Sequence, residues 1–530
     1  MPSLTLAPLP LPSEMGLWDR CAIHEFGIRE EILMENASRE ALHALRHAFG
    51  SLAGARVLLI MGGGNNGGDA AALARHLLDA KACPLVLHTR PIRAAKGACG
   101  YHVRLARRCG VPFLPLRLDR NGKPRISHVS FATPPDILVD GLLGTGFSGI
   151  LRPEGLSLVQ WMNSLREHAF LFALDIPSGL DGRLGVPRPK AVRAHATVTF
   201  EAAKPGLVMP GAEQFTGVLD VRSIGIPHVV HTRHAASCVL LNASVARLLP
   251  PLQTDMHKGS AGHVLVIGGS AGMSGAPLLA AQGAVRGGAG YVTVAMPGAL
   301  AHQSLASHPE LLSCPAGDGE RWGGNTTALD AAVERATALV VGPGMGRDAE
   351  AGQILAHVLS RPNRPCAVLD ADALYHLAHD TTLQRWLRAD DVLTPHPGEM
   401  ARLTNTDTAA IQRDRLAAAQ AWTAHHAGVL VLKGAGTLIA QTGLPLALSP
   451  FAVPALAVAG SGDVLAGLLG ALLARPAPPD SPHHSLHAAY LAVYWHGLAG
   501  KLLQHEFPGR GNSAMDIAHA LRTANKELFS

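Results

Sequence analysis

The sequence predicts two α/β domains, and three observations carry that expectation. Aromatic residues make up 4% of the chain and hydrophobic residues 48%, with 57 glycines. That balance suits an α/β enzyme with tight loops better than an all-β module or a disordered chain. Apolar, β-branched runs alternate with longer helical stretches, and the alternation restarts after a break near residue 230. At 530 residues the chain is also too long for one hydrophobic core.

The first series of candidate strands is ARVLLIM (55–61), CPLVLHT (83–89), DILVDGL (136–142), FLFALDI (170–176) and ATVTF (196–200). Near-continuous apolar runs of this kind are buried parallel strands joined by crossover helices. Several end in a glycine or an acid, where an open α/β sheet places its site. A stretch with prolines, histidines and weak periodicity follows, IGIPHVVHTRHAASCVLLNASVARLLPPLQTD (224–255), and sets the expected domains at 1–230 and 231–530. The second series is GHVLVIGGS (262–270), GYVTVAM (290–296), ALVVGPG (338–344), PCAVLDAD (365–372), VLTPHPGE (392–399) and GVLVLKGAG (428–436). Both halves run early from a strand into a glycine-rich loop, but the loops differ, so they are not an internal repeat. The tail DIAHALRTANKEL reads as a closing amphipathic helix.

Several classes are disfavoured. The net charge of +5 is dispersed, with no run of five or six basic residues, so no nucleic-acid partner is expected. The opening MPSLTLAPLPLPSEMG lacks the basic segment and unbroken apolar core of a signal peptide. VLAGLLGALLA, after Asp463, is too short to span a bilayer, so no membrane partner is expected either. The seven cysteines, at 21, 83, 99, 109, 238, 314 and 366, form no C-x-x-C pair and read as reduced thiols of a cytoplasmic protein. The pairs His43/His47 and His483/His484 have no carboxylate partner that makes a metal site persuasive, so neither is read as one.

In the first half, VLLIMGGGNNGGDA (57–70) runs from strand through glycines to helix, the usual way to aim backbone N–H groups at a phosphate. Gly62, Gly64 and Gly67 satisfy G-x-G-x-x-G. The ribose-binding acid expected after the second strand is missing, since His88, Thr89 and Arg90 stand there. An ordinary dehydrogenase is therefore a poor reading. Asn65, Asn66 and Asp69, then Asp140, then Asp175 and Ser178 offer oxygens at three adjacent strand ends, a donor set suited to a hard cation. GLLGTGFSG (141–149), with Thr145 and Ser148, is a second candidate phosphate cradle. Any one of these is explained by local turn hydrogen bonds. Three at successive strand ends favour a site.

GGGNNGGDA, VDGLLGTGFSG and ALDIPSGLDG, with MENASREA (34–41) and KPGL (204–207), resemble the NAD(P)H-hydrate epimerase family over roughly residues 13–225. The resemblance implies a Rossmann-like three-layer domain that interconverts the R and S epimers of hydrated NADH and NADPH (NADHX and NADPHX). It implies potassium held by Asn66, Asp140 and Ser178. The hydrate would bind to Asn65, Asn66, Gly67, Gly68 and Asp69 and to Gly144, Thr145, Gly146, Phe147, Ser148, Gly149 and Ile150. Asp175 would stand at the substrate and transfer the proton. Ala70 departs from the family glycine, a single methyl that a helical position would tolerate.

In the second half, AGSGD (459–463) opens an apolar helix, so its free N–H groups and the helix dipole face an anion. Asp463 on that first turn is placed to take a proton from a hydroxyl attacking a phosphate. An N-capped helix whose aspartate merely complements the dipole is the competing reading. LKGAGTLI (432–439), VVGPGMG (340–346), LDADAL (369–374) and TPHPGEM (394–400) add glycine turns and acids at strand ends, including Asp370, Asp372 and Glu399, and no P-loop is present.

HKG-x-x-G, SGAP, GPG-x-G, DADAL, TPHPGE, KG-x-x-T and AGSGD, in that order over about 240–525, resemble the ADP-dependent NAD(P)H-hydrate dehydratase family. The resemblance implies a ribokinase-like α/β domain that phosphorylates the hydrate's ring hydroxyl from ADP, with Mg2+, then loses phosphate to regenerate NAD(P)H. Ala276, Gly344, His396 and Asp463 would contact the hydrate. Lys433, Gly434, Ala435, Gly436, Thr437 and Gly462 would bind the nucleotide, with Asp463 as base. Tyr375 stands where the family often carries asparagine. The combined expectation is a bifunctional repair enzyme whose partners are NADHX, NADPHX and ADP, with self-association expected from both families. The competitors are an ATP-dependent small-molecule kinase of the same superfamily, and a first half that only binds a dinucleotide.

Overall fold

In the first series of strands, alternate side chains feed opposite faces of one sheet. Val57, Leu59 and Met61 enter one core with Val139 and Phe172, while Leu58 and Ile60 enter another with Leu138 and Leu171. Burial on both faces is why these strands show no polar alternation. The computed structural model describes residues 4–119, 124–125, 134–249, 254–317, 319–323, 326–476 and 483–528. It divides the chain into two units, Pro8–Cys238 and Val239–Ser530, the latter joined by the described residues 4–7.

The first unit holds a seven-stranded sheet in the order Val218–Arg222, Ala196–Phe200, Phe170–Leu174, Ile137–Gly141, Arg56–Met61, Cys83–His88, Phe113–Pro115, parallel throughout. From Arg56–Met61 the chain goes next to Cys83–His88 on one side and later returns to Ile137–Gly141 on the other. That reversal is the crevice where ligands bind in open α/β sheets. Helix Asn65–Asp79 starts there, its Ala70–Ala74 stretch and Leu77 fully buried. Small side chains let it lie close to the sheet.

The second unit holds seven parallel strands, Val429–Leu432, Val392–Leu393, Ala367–Leu369, Ala338–Val341, His263–Ile267, Tyr291–Pro297 and Leu312–Ala316, in that spatial order. Antiparallel strands Leu438–Ala440 and Leu446–Leu448 extend it, followed by the short edge strands Cys238–Leu240 and Ala7–Pro8. VLAGLLGALLA is the body of the buried helix Ser461–Leu473. A Cβ on its Gly467 would collide with the Ala280 carbonyl, and one on Gly283 with the Val464 carbonyl. Glycine on both sides thus lets this helix and helix Gly275–Arg286 touch backbone to backbone. The tail is helix Ala514–Leu528, with Ile517, Ala518, Leu521 and Ala524 buried. Among the described residues no helix is long and apolar enough to cross a membrane.

The first unit runs to Cys238, beyond the break read near residue 230. The histidine-bearing stretch is partly helical, His228–Arg233, and Trp18 Nε1 donates to the His234 carbonyl at 2.7 Å. Long-range packing of this kind leaves no periodic trace in a six-residue helix.

Candidate active sites

In the first unit, the ends of strands Arg56–Met61, Ile137–Gly141 and Phe170–Leu174 open into a cavity of about 620 Å³. Asn65–Asp69, read as a loop, are the first helical residues after Gly64. Gly62 and Gly67 are required by close backbone, since a Cβ on either would strike the Leu142 or Gly62 carbonyl. Ala70 is accommodated because its neighbour is Gly141, where a Cβ would stand 2.6 Å from the Ala70 methyl.

Beneath the cavity, the Asn66 amide donates to the carbonyls of Leu143 at 2.6 Å and Leu174 at 3.1 Å. Its Oδ1 is buried without a hydrogen-bond partner. The fully buried Asp140 carboxylate accepts from Ser178 Oγ at 2.6 Å, Ser178 N at 2.8 Å and Leu142 N at 3.1 Å. No cationic side chain pairs with it among the described residues, and burial pushes its pKa up to about 6. An orphaned amide oxygen, an uncompensated carboxylate and a hydroxyl form a donor set that fits a hard cation.

On the cavity wall, Asp175 adopts φ +61°, a left-handed conformation uncommon outside glycine. Lys204 Nζ donates to its Oδ1 at 2.7 Å and also to Thr199 Oγ1 and the Phe200 carbonyl. Thr145 N donates to its Oδ2 at 2.9 Å. Burial alone would raise the Asp175 pKa, but the Lys204 charge and these hydrogen bonds hold it below the usual range. Asp69, on the same wall, has its pKa raised well above that range by burial and by the charges of Asp175 and Asp19. Asp19, from helix Pro12–His24, is raised to about 6, chiefly by burial.

Of the residues expected to bind the hydrate, Asn65, Asn66, Asp69, Gly144, Thr145, Gly146, Phe147, Ser148 and Asp175 line the cavity. Gly67, Gly68, Gly149 and Ile150 do not, and Ile150 is 74% exposed. Lys204 appeared in the sequence only inside KPGL, and Asp19 gave no signal, being one acid on an ordinary amphipathic helix.

The second unit has a cavity of about 660 Å³ lined by Asp370, His396, Lys433, Gly434, Ala435, Thr437, Gly462 and Asp463, among others. Gly460 takes φ +87° ahead of helix Ser461–Leu473, which sets the first-turn N–H groups at the cavity. Burial, reinforced by Asp370, raises the Asp463 pKa to about 7. Lys433 Nζ donates to Asp370 Oδ1 at 2.6 Å, and Thr394 Oγ1 donates to the same oxygen at 2.8 Å. Glu399 Oε2 stands 3.9 Å from Lys433, and burial raises the Glu399 pKa to about 7. Asp370, Glu399 and Asp463 therefore outnumber the one lysine.

His396 caps helix Pro397–Leu403: its Nδ1 accepts from Gly398 N at 3.0 Å, and its backbone N–H donates to Glu399 Oε2 at 2.8 Å. Burial and Lys433 lower its pKa, and with Nδ1 accepting, Nε2 is the ring's donor. Arg415, missed in the sequence, donates to the carbonyls of Leu432, Lys433, Ala435 and Gly436 and holds the glycine turn. A lone arginine on a helix 18 residues before that turn leaves no local signal.

Ala276 and Gly344 adjoin each other, 3.1 Å from the Ala276 Cβ to a Cβ on Gly344, but neither they nor Gly436 are in the lining. Asp372 is used internally, accepting from Gly346 N and Arg347 Nε. Tyr375 packs against Arg347 and His379, outside the lining.

Residues 30–206 match the family model described as YjeF-related protein N-terminus, and residues 264–523 match that of NAD(P)H-hydrate dehydratase. The bifunctional NAD(P)H-hydrate repair enzyme Nnr of Moorella thermoacetica is 36% identical over 97% of this chain and 97% of its own. That of Salinibacter ruber is 34% identical over 98% and 97%. A solved ADP/ATP-dependent NAD(P)H-hydrate dehydratase from Bacillus subtilis, co-crystallised with ATP and Mg2+, is 28% identical over 54% of this chain and 96% of its own, with a TM-score of 0.44. Matched along nearly its whole length by relatives of one kind, with one unit under each family model, the chain belongs to the bifunctional NAD(P)H-hydrate repair enzymes.

Proposed function

We propose that the first unit epimerises the R and S hydrates of NADH and NADPH, and that the second dehydrates the S form, consuming ADP and releasing AMP and phosphate. The observation that carries this reading is that Asp175 and Asp463 each face a cavity of 620 or 660 Å³ beside glycine-built N–H turns. Cavities of that size hold nucleotide-like ligands.

The hydrated ring carbon bears both the ring nitrogen and the hydroxyl, so epimerisation must break one bond there and remake it from the other face. Asp69, kept protonated, donates its proton to the hydroxyl oxygen as the C–O bond breaks and the electron pair leaves with water. Asp175, kept ionised by Lys204, stabilises the positive charge on the ring nitrogen. Water then returns to the opposite face and gives the proton back. With Lys204 favouring the ionised form of Asp175 and burial favouring the protonated form of Asp69, the reading gives Asp175 an electrostatic role and assigns to Asp69 the proton expected of Asp175.

Potassium would be held by Asn66, Asp140 and Ser178, where it compensates the buried carboxylate and fixes the ends of three strands. Replacing K+ by tetramethylammonium at constant ionic strength is expected to lower the unfolding temperature of the wild type but not that of Asp140→Asn. An equal response in both would remove the potassium assignment.

In the second unit, Asp463 takes the proton of the hydrate hydroxyl as that oxygen attacks the terminal phosphorus of ADP. The N–H groups near Gly460–Gly462 stabilise the transferring phosphoryl group. Breaking the C–O bond then expels phosphate with the bonding electron pair and leaves the positive charge on the ring nitrogen, and loss of a proton from the neighbouring ring carbon to water restores the reduced ring. Mg2+ accompanying the nucleotide would meet the carboxylates of Asp370 and Glu399 and supply further charge stabilisation. The seven cysteines are all free thiols, which supports a reducing, cytoplasmic setting.

Single variants test the division of labour. Asp175→Ala is expected to abolish epimerisation, leave hydrate binding measurable and spare the dehydratase; Asp463→Asn should do the reverse. If either variant lost both activities while folded, the assignment of one reaction to each unit would fail. A stable phosphorylated product with no reduced coenzyme would instead identify a small-molecule kinase.

A further inference from the structure

One cluster of the first unit has no part in either reaction. Cys21 Sγ, a carboxylate oxygen of Glu25 and a ring nitrogen of His234 all lie within 4.8 Å of one another. Among the described residues it is the one group of three histidine, cysteine or acidic donors so arranged. Cys21 and Glu25 are four apart at the end of helix Pro12–His24 and so share a face. His234 directly follows helix His228–Arg233, and the hydrogen bond from Trp18 to its carbonyl fixes it there. The thiol end is dry, with Cys21 2% exposed, while Glu25 is open to solvent and offers an entry path.

We infer that Cys21, Glu25 and His234 form a binding site for a zinc-class divalent cation. Thiolate, imidazole and carboxylate together suit a borderline-soft ion such as Zn2+ or Co2+, whereas K+ and Mg2+ prefer oxygen alone. Bonds of about 2.0–2.3 Å to a tetrahedral ion place its ligand atoms roughly 3–4 Å apart. Small side-chain rotations from the observed spacing reach that geometry, with water in the fourth position.

The surrounding charges are accounted for. Burial and the Glu25 carboxylate raise the Cys21 pKa, so the free thiol keeps its proton, and metal uptake releases it as the S–H bond is replaced by S–metal. Arg233 opposes uptake, its Nη1 lying 3.7 Å from Glu25 Oε2. It is 58% exposed, already sits over the Phe26 ring, and is free to give up the carboxylate. A bound ion would join the end of helix Pro12–His24 to the last turn of the unit. That helix also carries Met15, Gly16 and Asp19 of the cavity wall, so the ion would steady one side of the epimerase cavity.

The test uses the full chain, stripped with chelator under reducing conditions and titrated with Co2+ and then Zn2+. The expected result is one ion per chain, a thiolate-to-cobalt charge-transfer band, release of one proton and a higher unfolding temperature. Cys21→Ser and His234→Ala should each weaken Zn2+ binding by more than about 100-fold, while Cys83→Ser should leave it unchanged. The cobalt band is read on the unmodified chain, so it does not depend on whether the variants fold. Absence of uptake, cobalt bound without the thiolate band, or binding unchanged in both ligand variants would overturn the site.

Discussion

Asp463 sits where burial and neighbouring acids hold its pKa at about 7, the range in which a carboxylate both holds and releases a proton near neutrality. If its ionised form is the base, as proposed, kcat/KM for dehydration is expected to fall as pH drops through about 7 and to level off above it. Asp463→Asn should remove that pH dependence and slow the reaction by roughly 100- to 10,000-fold. A variant with the wild-type profile would assign the proton elsewhere. Residues of this kind were legible because their motifs are contiguous: AGSGD, KG-x-x-T and NNGGD name the helix starts and turns that face the cavities. What was not legible acts across the fold. Lys204 meets Asp175 from 29 residues away, and Arg415 reaches carbonyls 17–21 residues on. The pKa split between Asp175 and Asp69 depends on that lysine's position. Sequence alone therefore offered both acids but not the difference in environment on which the proposed division of roles rests.

The central strands were legible as elements because burial on both faces leaves unbroken apolar runs. Arg56–Met61, Cys83–His88 and Val429–Leu432 all lie within the stretches read from sequence. Edge strands were not. Val218–Arg222 and Leu312–Ala316 are partly exposed, and Phe113–Pro115 is short and ends in proline, so neither periodicity nor hydropathy marks them. Helix contacts were likewise hidden, although their glycines are plain in the sequence. Gly467→Ala would drive a methyl into the Ala280 carbonyl where helices Ser461–Leu473 and Gly275–Arg286 meet. Backbone cannot yield as a side chain does, and a loss of about 1–3 kcal/mol or more is expected in denaturant unfolding. Gly509→Ala, whose added methyl meets nothing within 4 Å, should change stability by less than about 0.5 kcal/mol. Equal effects at the two sites would contradict the close helix crossing.

Over the whole molecule, two sheets of different construction each place one cavity at the carboxyl ends of parallel strands. The chemistry explains why one chain carries both. The dehydratase consumes a single epimer, and without the epimerase the other would accumulate. Two strand series that restart led to the expectation of two domains, and the order of the two activities came from the family motifs each series carries. The compact first unit extends to Cys238, with the segment after residue 230 held to it by the Trp18 hydrogen bond to His234. The most direct test is recovery of reduced nicotinamide absorbance from a racemic mixture of NADH hydrates, supplied with ADP, Mg2+ and K+. Full recovery, faster than spontaneous epimerisation allows, is the predicted result and requires both units to turn over. A halt near half, once the S form is spent, would contradict the epimerase assignment, and no recovery with ADP or ATP would contradict the repair function itself.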